Sequence, residues 1–191
     1  GAATAERFAQ EGATVVICGR RKEPLDAVVS RITAAGGKAE AVVADVGNEQ
    51  QIVGALEQTA KKHGALDVLQ VDLYDATARG PVHDTPAFYK ACRATLREPG
   101  MLTMNLFGDH DSYPKNIRRL RQAFDNRVIE FPEVHDGNVI VLAFNGPLLS
   151  VEWKDVEARA KVVEAATGLP AKRWVKQLRS ANGDGGPVLT I

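Results

Sequence analysis

The sequence predicts an α/β fold in which a mostly parallel sheet lies between two layers of helices and ends in an antiparallel hairpin. Short β-branched runs alternate with longer apolar repeats of helical spacing along all 191 residues, which is typical of a parallel sheet covered on both faces. Near the end, Asp136-Gly137 separates two apolar runs, a strong hairpin signal. With 45% apolar residues, a chain of this length can bury a sizeable core, and we expect residues 1–191 to form a single α/β domain.

The first third of the chain predicts three helices and two strands. Glycine ends helices readily, β-branched runs favour strands, and apolar residues three and four apart mark the inner face of a helix. The expected elements are a helix over 2–11 ended by Gly12, a strand at 14–17, a helix carrying Leu25, Val28, Val29 and Ile32, a strand at 41–44, and a helix marked by Ile52, Leu56 and Ala60.

The remaining chain predicts four strands and four helices before a glycine-rich tail. Proline is tolerated in the first turn of a helix and stops one soon after its end. The expected elements are a strand at 68–71, a helix over 85–97 closed by Pro99-Gly100, a strand at 101–106, a helix beginning near Pro114, strands at 127–131 and 138–144, and helices over 152–166 and 170–180.

Charge and hydropathy argue against two classes of partner. The formal net charge is zero, so bulk electrostatics favour neither nucleic acid nor an anionic membrane. No apolar run approaches the ~20 residues that span a bilayer, and the start of the sequence lacks the pattern of a signal peptide. We therefore expect no nucleic-acid partner, no membrane partner and a cytoplasmic location.

The metal-ligating residue types are scattered. Cys18 and Cys92 lie in separate apolar patterns with no CxxC spacing, which favours reduced structural thiols. His83 and His110, with acidic neighbours Asp84, Asp109 and Asp111, suggest a cluster at first sight, but no two histidines are three or four residues apart. We expect no metal site.

A seam at residues 66–72, LDVLQVD, joins two stretches of different character. Before it, residues 1–21, GAATAERFAQEGATVVICGRR, closely resemble the short-chain dehydrogenases/reductases from their first helix onward. After it, residues 71–81, VDLYDATARGP, and 85–101, TPAFYKACRATLREPGM, resemble the spermidine synthase (polyamine aminopropyltransferase) family. The two resemblances cover roughly residues 1–67 and 68–191, and we interpret the chain as an engineered chimera.

The resemblance has a topological consequence. Both families have a central first strand with a glycine-rich loop before the first helix, and we expect neither in this chain. If the strands that flank that position pair, the order becomes flavodoxin-like, 2-1-3-4-6-5 with the hairpin included, in a three-layer Rossmann-like architecture. A truncated or partly disordered sheet is the alternative. An exposed sheet edge or apolar face would also allow homo-oligomers.

The dehydrogenase-like half keeps parts of a cofactor site. The resemblance implies that Arg20 and Arg21, after a strand, contact the 2′-phosphate of NADP, and that Asp45 contacts the adenine. Alternatively, the arginines lie in a solvated loop and Asp45 or Asn48 caps a helix. No tyrosine has a lysine four residues later, so the Tyr-x-x-x-Lys pair of the family is missing and hydride transfer is not expected.

The synthase-like half keeps a pair of carboxylates. The resemblance implies that Asp72 is a general base and Asp75 an amine-binding carboxylate, which suits an amine that must be neutral to attack; capping of a strand end and turn is the alternative. The donor, decarboxylated S-adenosylmethionine, needs a glycine-rich loop and an acidic ribose ligand, where this chain has Gly19-Arg20. We therefore expect a hybrid scaffold without a bound cofactor or an intact catalytic site. Aminopropyl transfer and NADP-type nucleotide binding stay open.

Overall fold

A computed structural model describes residues 1–73, 83–135, 137–183 and 185–191. The chain divides into two compact units, Gly1–Gly64 and Ala65–Ile191, and each is described by itself. Their boundary lies beside the seam predicted at 66–72. The expectation of a single domain stays a prediction.

The first unit consists of three helices and one parallel pair of strands. Its core is formed by Ala5, Ala9 and Ile32, surrounded by partly buried apolar side chains of the two strands and the second helix. The strands pair in register from Thr14–Lys38 to Gly19–Val43. The elements are α1 (Ala2–Gln10), β1 (Thr14–Gly19), α2 (Lys22–Ala34), β2 (Lys38–Val43) and α3 (Glu49–His63).

The second unit contains a four-stranded sheet and a short two-stranded one. The elements are β3 (Leu66–Val71), α4 (Pro86–Thr95), β4 (Leu96–Phe107), α5 (Tyr113–Ala123), β5 (Val128–His135), β6 (Asn138–Asn145), β7 (Ser150–Glu152), α6 (Trp153–Thr167), α7 (Ala171–Asn182) and β8 (Val188–Thr190). The larger sheet has the order β3-β4-β6-β5. β3 and β4 are parallel, whereas β4–β6 and β6–β5 are antiparallel. β7 and β8 form a separate antiparallel pair.

The two faces of the four-stranded sheet bury different clusters. Leu102, Met104 and Leu106 alternate along β4 and are almost completely buried, as a strand with one face in a core requires. α4 packs against β4 and against α5. On the C-terminal side, Ile129 of β5 packs with Trp153 and with apolar residues of α7 and β8. This second cluster ties the end of the chain to the sheet.

The structure confirms the α/β class and the C-terminal antiparallel hairpin, although Asp136 itself lies outside the described residues. The predicted strand order is found in two parts, 2-1 and 3-4-6-5, in separate sheets. The predicted step from strand 1 to strand 3 is not among the pairings of the described residues. Two strands that flank a common neighbour must close the gap between them by about 4.8 Å, the spacing of one strand, before they can pair with each other, and no sequence pattern supplies that shift.

Two further details differ from the sequence prediction. β4 begins at Leu96 and not at Met101, because Leu96 is buried and pairs with Leu66 of β3. The sequence analysis names no strand in the glycine-rich tail, yet β8 pairs with β7. Both strands of that pair have three residues, too few for a recognisable alternation, and their pairing is far apart in sequence.

Candidate functional site

The first candidate site lies at the carboxyl end of the β1–β2 pair. Gly19 and Val43 end the two strands side by side, and Ala44 N donates to Gly19 O at 3.1 Å. The parallel register therefore brings Arg20 and Asp45 to the same end of this small sheet. This is the edge at which parallel strands present ligand-binding residues.

The predicted cofactor-binding residues have different surroundings. Arg20 and Arg21 are exposed, and neither forms an ion pair within the described residues. Asp45 takes part in the turn before α3, where its Oδ1 accepts a hydrogen bond from Gly47 N at 3.0 Å. Asn48 caps α3 by accepting from Gln51 N at 3.1 Å. The helix-cap interpretation is thus confirmed for Asn48. Neither guanidinium group forms an ion pair, within the described residues, that would give it a structural role.

The second candidate site lies at the carboxyl end of β3 and β4 in the second unit. Val71 pairs with Met104, so the next residues, Asp72 and Asn105, lie side by side. Asn105 Nδ2 donates to Asp72 Oδ1 at 3.2 Å. Asp72 is exposed, whereas Asn105 Oδ1 is buried and has no hydrogen-bond partner among the described residues. The pair therefore offers an exposed carboxylate, an acceptor suited to an ammonium group, beside a buried amide oxygen.

Sequence reasoning found Asp72 but missed Asn105. The signal was available, because the residue after a buried alternation on the next parallel strand must lie beside Asp72. Asp75, the second predicted carboxylate, lies outside the described residues, as do Gly80 and Pro81.

Two sets of polar contacts involve the start of α5 and the loops next to it. His110 Nδ1 lies 2.7 Å from Ser112 Oγ and accepts a hydrogen bond from Ser112 N, and Asn116 Nδ2 donates to Ser112 Oγ at 3.1 Å. Asp84 forms ion pairs with Lys115 and Arg119 at 2.5 and 3.2 Å. These contacts anchor loop ends to α5. Among the described residues, no three His, Cys, Asp or Glu side chains group as metal ligands would.

The tyrosine that precedes Lys90 is inaccessible. Tyr89 is completely buried and its hydroxyl has no hydrogen-bond partner. Burial first, and then the charge of Asp84, raise the pKa of this phenol above its usual value. A phenol in this environment is unsuited to proton transfer with a ligand, which agrees with the missing Tyr-x-x-x-Lys pattern.

A cleft of about 600 Å³ lies at the β5 edge of the second unit, lined by α5, β5 and the end of α7. Tyr113 donates to Glu130 at 2.7 Å, and Arg121 pairs with Glu130 at 2.9 Å. Burial and the bond to Glu130 raise the pKa of Tyr113. Sequence reasoning missed this cleft, because its residues come from distant parts of the chain and follow no local pattern.

No helix among the described residues is long and apolar enough to cross a membrane. This finding agrees with the hydropathy of the sequence.

Comparison with protein families gives a match to the short chain dehydrogenase family over residues 1–87. The match runs past the seam predicted at 66–72 and covers less than half of the chain. It supports the dehydrogenase-like character of the first unit.

Comparison with curated sequences gives two groups of relatives, polyamine aminopropyltransferases and oxidoreductases. A polyamine aminopropyltransferase of Chromobacterium violaceum is 30% identical over 119 residues, which are 62% of this chain and 46% of that protein. An A-factor type gamma-butyrolactone 1′-reductase of Streptomyces virginiae is 39% identical over 90 residues, 46% of this chain and 35% of that protein. An uncharacterised oxidoreductase of Methylorubrum extorquens is 50% identical over 70 residues, 36% of this chain and 28% of that protein. The chain spans less than half the length of each of these relatives.

Among solved structures, a metagenomic short-chain oxidoreductase in complex with NADP matches 65% of this chain and 49% of its own, with 28% identity and a TM-score of 0.39. The chain is thus similar in sequence both to short-chain dehydrogenases and to polyamine aminopropyltransferases.

Proposed function

We propose that this chain is a hybrid α/β scaffold, with a dehydrogenase-like first unit, an aminopropyltransferase-like second unit and no intact catalytic site of either kind. The observation that carries the proposal is the boundary between the compact units after Gly64, beside the point at which the sequence changes its resemblance. An engineered recombination of two α/β folds would place a junction at such a boundary.

The chemistry of the residues supports the proposal. Hydride transfer by the dehydrogenase route needs an accessible tyrosine with a lysine four residues on, and Tyr89 is buried and followed directly by Lys90. Aminopropyl transfer needs an acidic ligand for the donor ribose, where the first unit carries the exposed Arg20. Each unit therefore retains only part of a site, at the carboxyl end of a strand.

Two assays of the whole chain test this proposal. One follows NADPH oxidation with ketone substrates, and the other follows spermidine formation from putrescine and decarboxylated S-adenosylmethionine. We expect turnover no faster than with heat-denatured protein. Turnover in either assay that disappears in the matching site variant, Arg20→Gln or Asp72→Asn, would overturn the scaffold proposal.

A second candidate function is amine binding at Asp72. It is favoured by the exposed Asp72 carboxylate beside the unpartnered Asn105 Oδ1, and by the similarity to polyamine aminopropyltransferases. Asp72 would act as the general base if a donor site were supplied, with Asp75 as the second carboxylate. Titration with putrescine at low salt tests binding without requiring turnover.

A matched pair of variants makes this titration specific. Asp72→Asn and Asp67→Asn each remove one negative charge, but Asp72 follows the carboxyl end of β3, whereas Asp67 lies near its start and pairs with Arg97 at 3.0 Å. Amine binding at the site predicts that only Asp72→Asn abolishes the calorimetric signal. Equal loss in both variants would indicate nonspecific charge attraction.

A third candidate function is binding of an NADP-type nucleotide by Arg20 and Arg21 at the carboxyl end of β1, which are exposed and form no ion pair with the residues that the structure describes. The test is a titration of NADP against NAD, since only the former carries the 2′-phosphate. Arg7→Gln, which removes an exposed arginine already paired with Glu11, is the control for Arg20→Gln. Equal responses to NADP and NAD would exclude 2′-phosphate recognition.

A further inference from the structure

The β5 edge of the four-stranded sheet is sealed. Asn182 accepts a hydrogen bond from Glu130 N at 3.1 Å and donates one to Glu130 O at 2.8 Å, so its side-chain amide replaces a neighbouring strand. Val128 N donates to Asn126 O at 2.8 Å, and Pro132 has no N–H. Val128 and Glu130 alternate with residues whose backbone bonds to β6, so their own backbone groups point away from β6. Such devices keep an edge strand from pairing with another chain.

The opposite edge, formed by β3 (Leu66–Val71), has no such protection. Among the residues that the structure describes, no hydrogen bond joins its outer side to another segment. From Val68 onward the strand is in regular register with β4 and contains neither a charge nor a proline. Val68 is 43% exposed. The stretch from Val68 to Val71 thus combines a lack of charge with a free row of backbone groups, which makes it a template for another strand.

We propose that two copies of this chain associate by antiparallel pairing of their β3 strands about a two-fold axis. Opposite residues of such a pair share a face of the sheet, so the axis must pass through a residue and not between two. Centred on Leu69, the pairing joins Leu69 to its own copy and Val68 to Gln70 of the partner subunit. It places the exposed residues Val68 and Gln70 on one face and the buried Leu69 on the other in both chains, and it covers the exposed Val68 side chain.

The contrast between the edges also limits how many copies can pair through the four-stranded sheet. A sheet with two open edges would add copies at both ends and form a fibre, whereas a two-fold pairing of one edge is closed. Because Asn182 occupies the backbone groups of Glu130 in the middle of the β5 edge, we expect the joined sheet of eight strands not to add a further copy there. A dimer is therefore the expected product, and this inference does not depend on the proposed function.

Two exposed valines provide a matched test. Val68→Lys places a charge on the β3 edge, and Val162→Lys makes the same change on α6, where the valine is 57% exposed. Light scattering after size exclusion, over a wide range of concentration, should give wild type and Val162→Lys twice the chain mass of 20.6 kDa. Val68→Lys should move the monomer–dimer midpoint to a concentration at least about tenfold higher. Circular dichroism verifies that both variants are folded.

Cross-linking tests the register and does not rely on a disruptive change. In a Cys18→Ser background, Val68→Cys and Gln70→Cys chains are mixed under oxidising conditions. The Leu69-centred pairing predicts a disulfide between the two kinds of chain, and little in either variant alone. A monomeric wild type would overturn the proposal, since the edge would then be filled within the chain. So would assemblies larger than a dimer, or a Val68→Lys variant that dimerises like wild type.

Discussion

The two units of this chain differ in how much side-chain volume they bury. In the described residues, the largest fully buried side chains all belong to the second unit: Trp153, Tyr89, Phe88, Phe124, Leu102, Met104, Leu106, Leu120, Val141, Asn116 and Cys92. The buried apolar residues of the first unit are Ala5, Ala9, Ile32, Ala44, Ile52 and Ala55. One unit thus has a core of aromatic and long aliphatic residues, and the other buries alanines and two isoleucines.

This difference indicates which unit contributes more to the free energy of unfolding of the chain. Burial of apolar surface contributes roughly 25 cal/mol per Å², and a unit of about 60 residues is marginal even with a good core. We therefore expect the second unit to set the global free energy of unfolding. The first unit should open locally at a lower free energy.

The largest expected effect is in the core of the second unit. Phe124→Ala removes a completely buried ring and should lower the free energy of unfolding by about 3 to 5 kcal/mol. Urea denaturation followed by tryptophan fluorescence measures this, since Trp153 and Trp174 both lie in the second unit. Phe8→Ala, at a phenylalanine of α1 that is 43% exposed, is the control and should change the midpoint little. A small effect of Phe124→Ala would contradict the expectation that the core of the second unit sets the free energy of unfolding.

A second variant asks whether the units unfold separately. Ile32→Ala, at a residue 2% exposed, should cost about 2 to 4 kcal/mol within the first unit. If that unit opens independently, hydrogen exchange should speed up over residues 1–64 while the tryptophan transition keeps its midpoint. A midpoint shift as large as the loss within the first unit would mean that the chain unfolds as one cooperative body.

Sequence reasoning succeeded where a physical cause is local. The helical spacing of Leu25, Val28, Val29 and Ile32 predicted a helix, and the structure confirms it as α2 (Lys22–Ala34) with Ile32 buried. The hairpin signal at Asp136-Gly137 likewise predicted the pairing of β5 with β6. Each of these patterns is complete within one element or one turn.

The features that were missed depend on residues far apart in the chain. Asn182 bonds to the backbone of Glu130, 52 positions away in the sequence, and no sequence pattern near either residue predicts the contact. The pairing of β7 with β8 and the Asn105–Asp72 contact are non-local as well. Predicting them requires the strand order and register first, which periodicity alone leaves open.

Asn145, a buried residue at the end of β6, links β6 to α4 and β4 by hydrogen bonds. Asn145 donates to Leu96 O and Arg97 O, both at 3.1 Å, and accepts from Arg93 Nε at 3.0 Å. Asn145→Ala leaves these groups unsatisfied and should cost about 1 to 3 kcal/mol in the tryptophan-monitored transition. Gln10→Ala, an exposed amide of α1, is the control. Equal midpoints for the two variants would show that the link contributes nothing measurable.

The smallest expected effects concern two tyrosines that the second unit holds in different ways. Tyr113 donates a hydrogen bond to Glu130, whereas the hydroxyl of Tyr89 has no partner. At neutral pH, Tyr113→Phe should therefore lose about 1 kcal/mol, and Tyr89→Phe should be neutral or slightly stabilising because it removes an unsatisfied buried group. A larger loss for Tyr89→Phe than for Tyr113→Phe would contradict this ranking.

The same pair predicts how stability responds to alkali. The pKa of each phenol is raised in the folded chain, in both cases mainly by burial. In the unfolded chain a tyrosine loses its proton near its usual pKa of about 10, so above that pH the unfolded state binds fewer protons than the folded one. Stability then falls as pH rises from about 10 toward the folded-state pKa. In urea titrations across this range, each Tyr→Phe variant should lose less stability than wild type. If neither variant flattens the decline, deprotonation of these two buried phenols is not its cause.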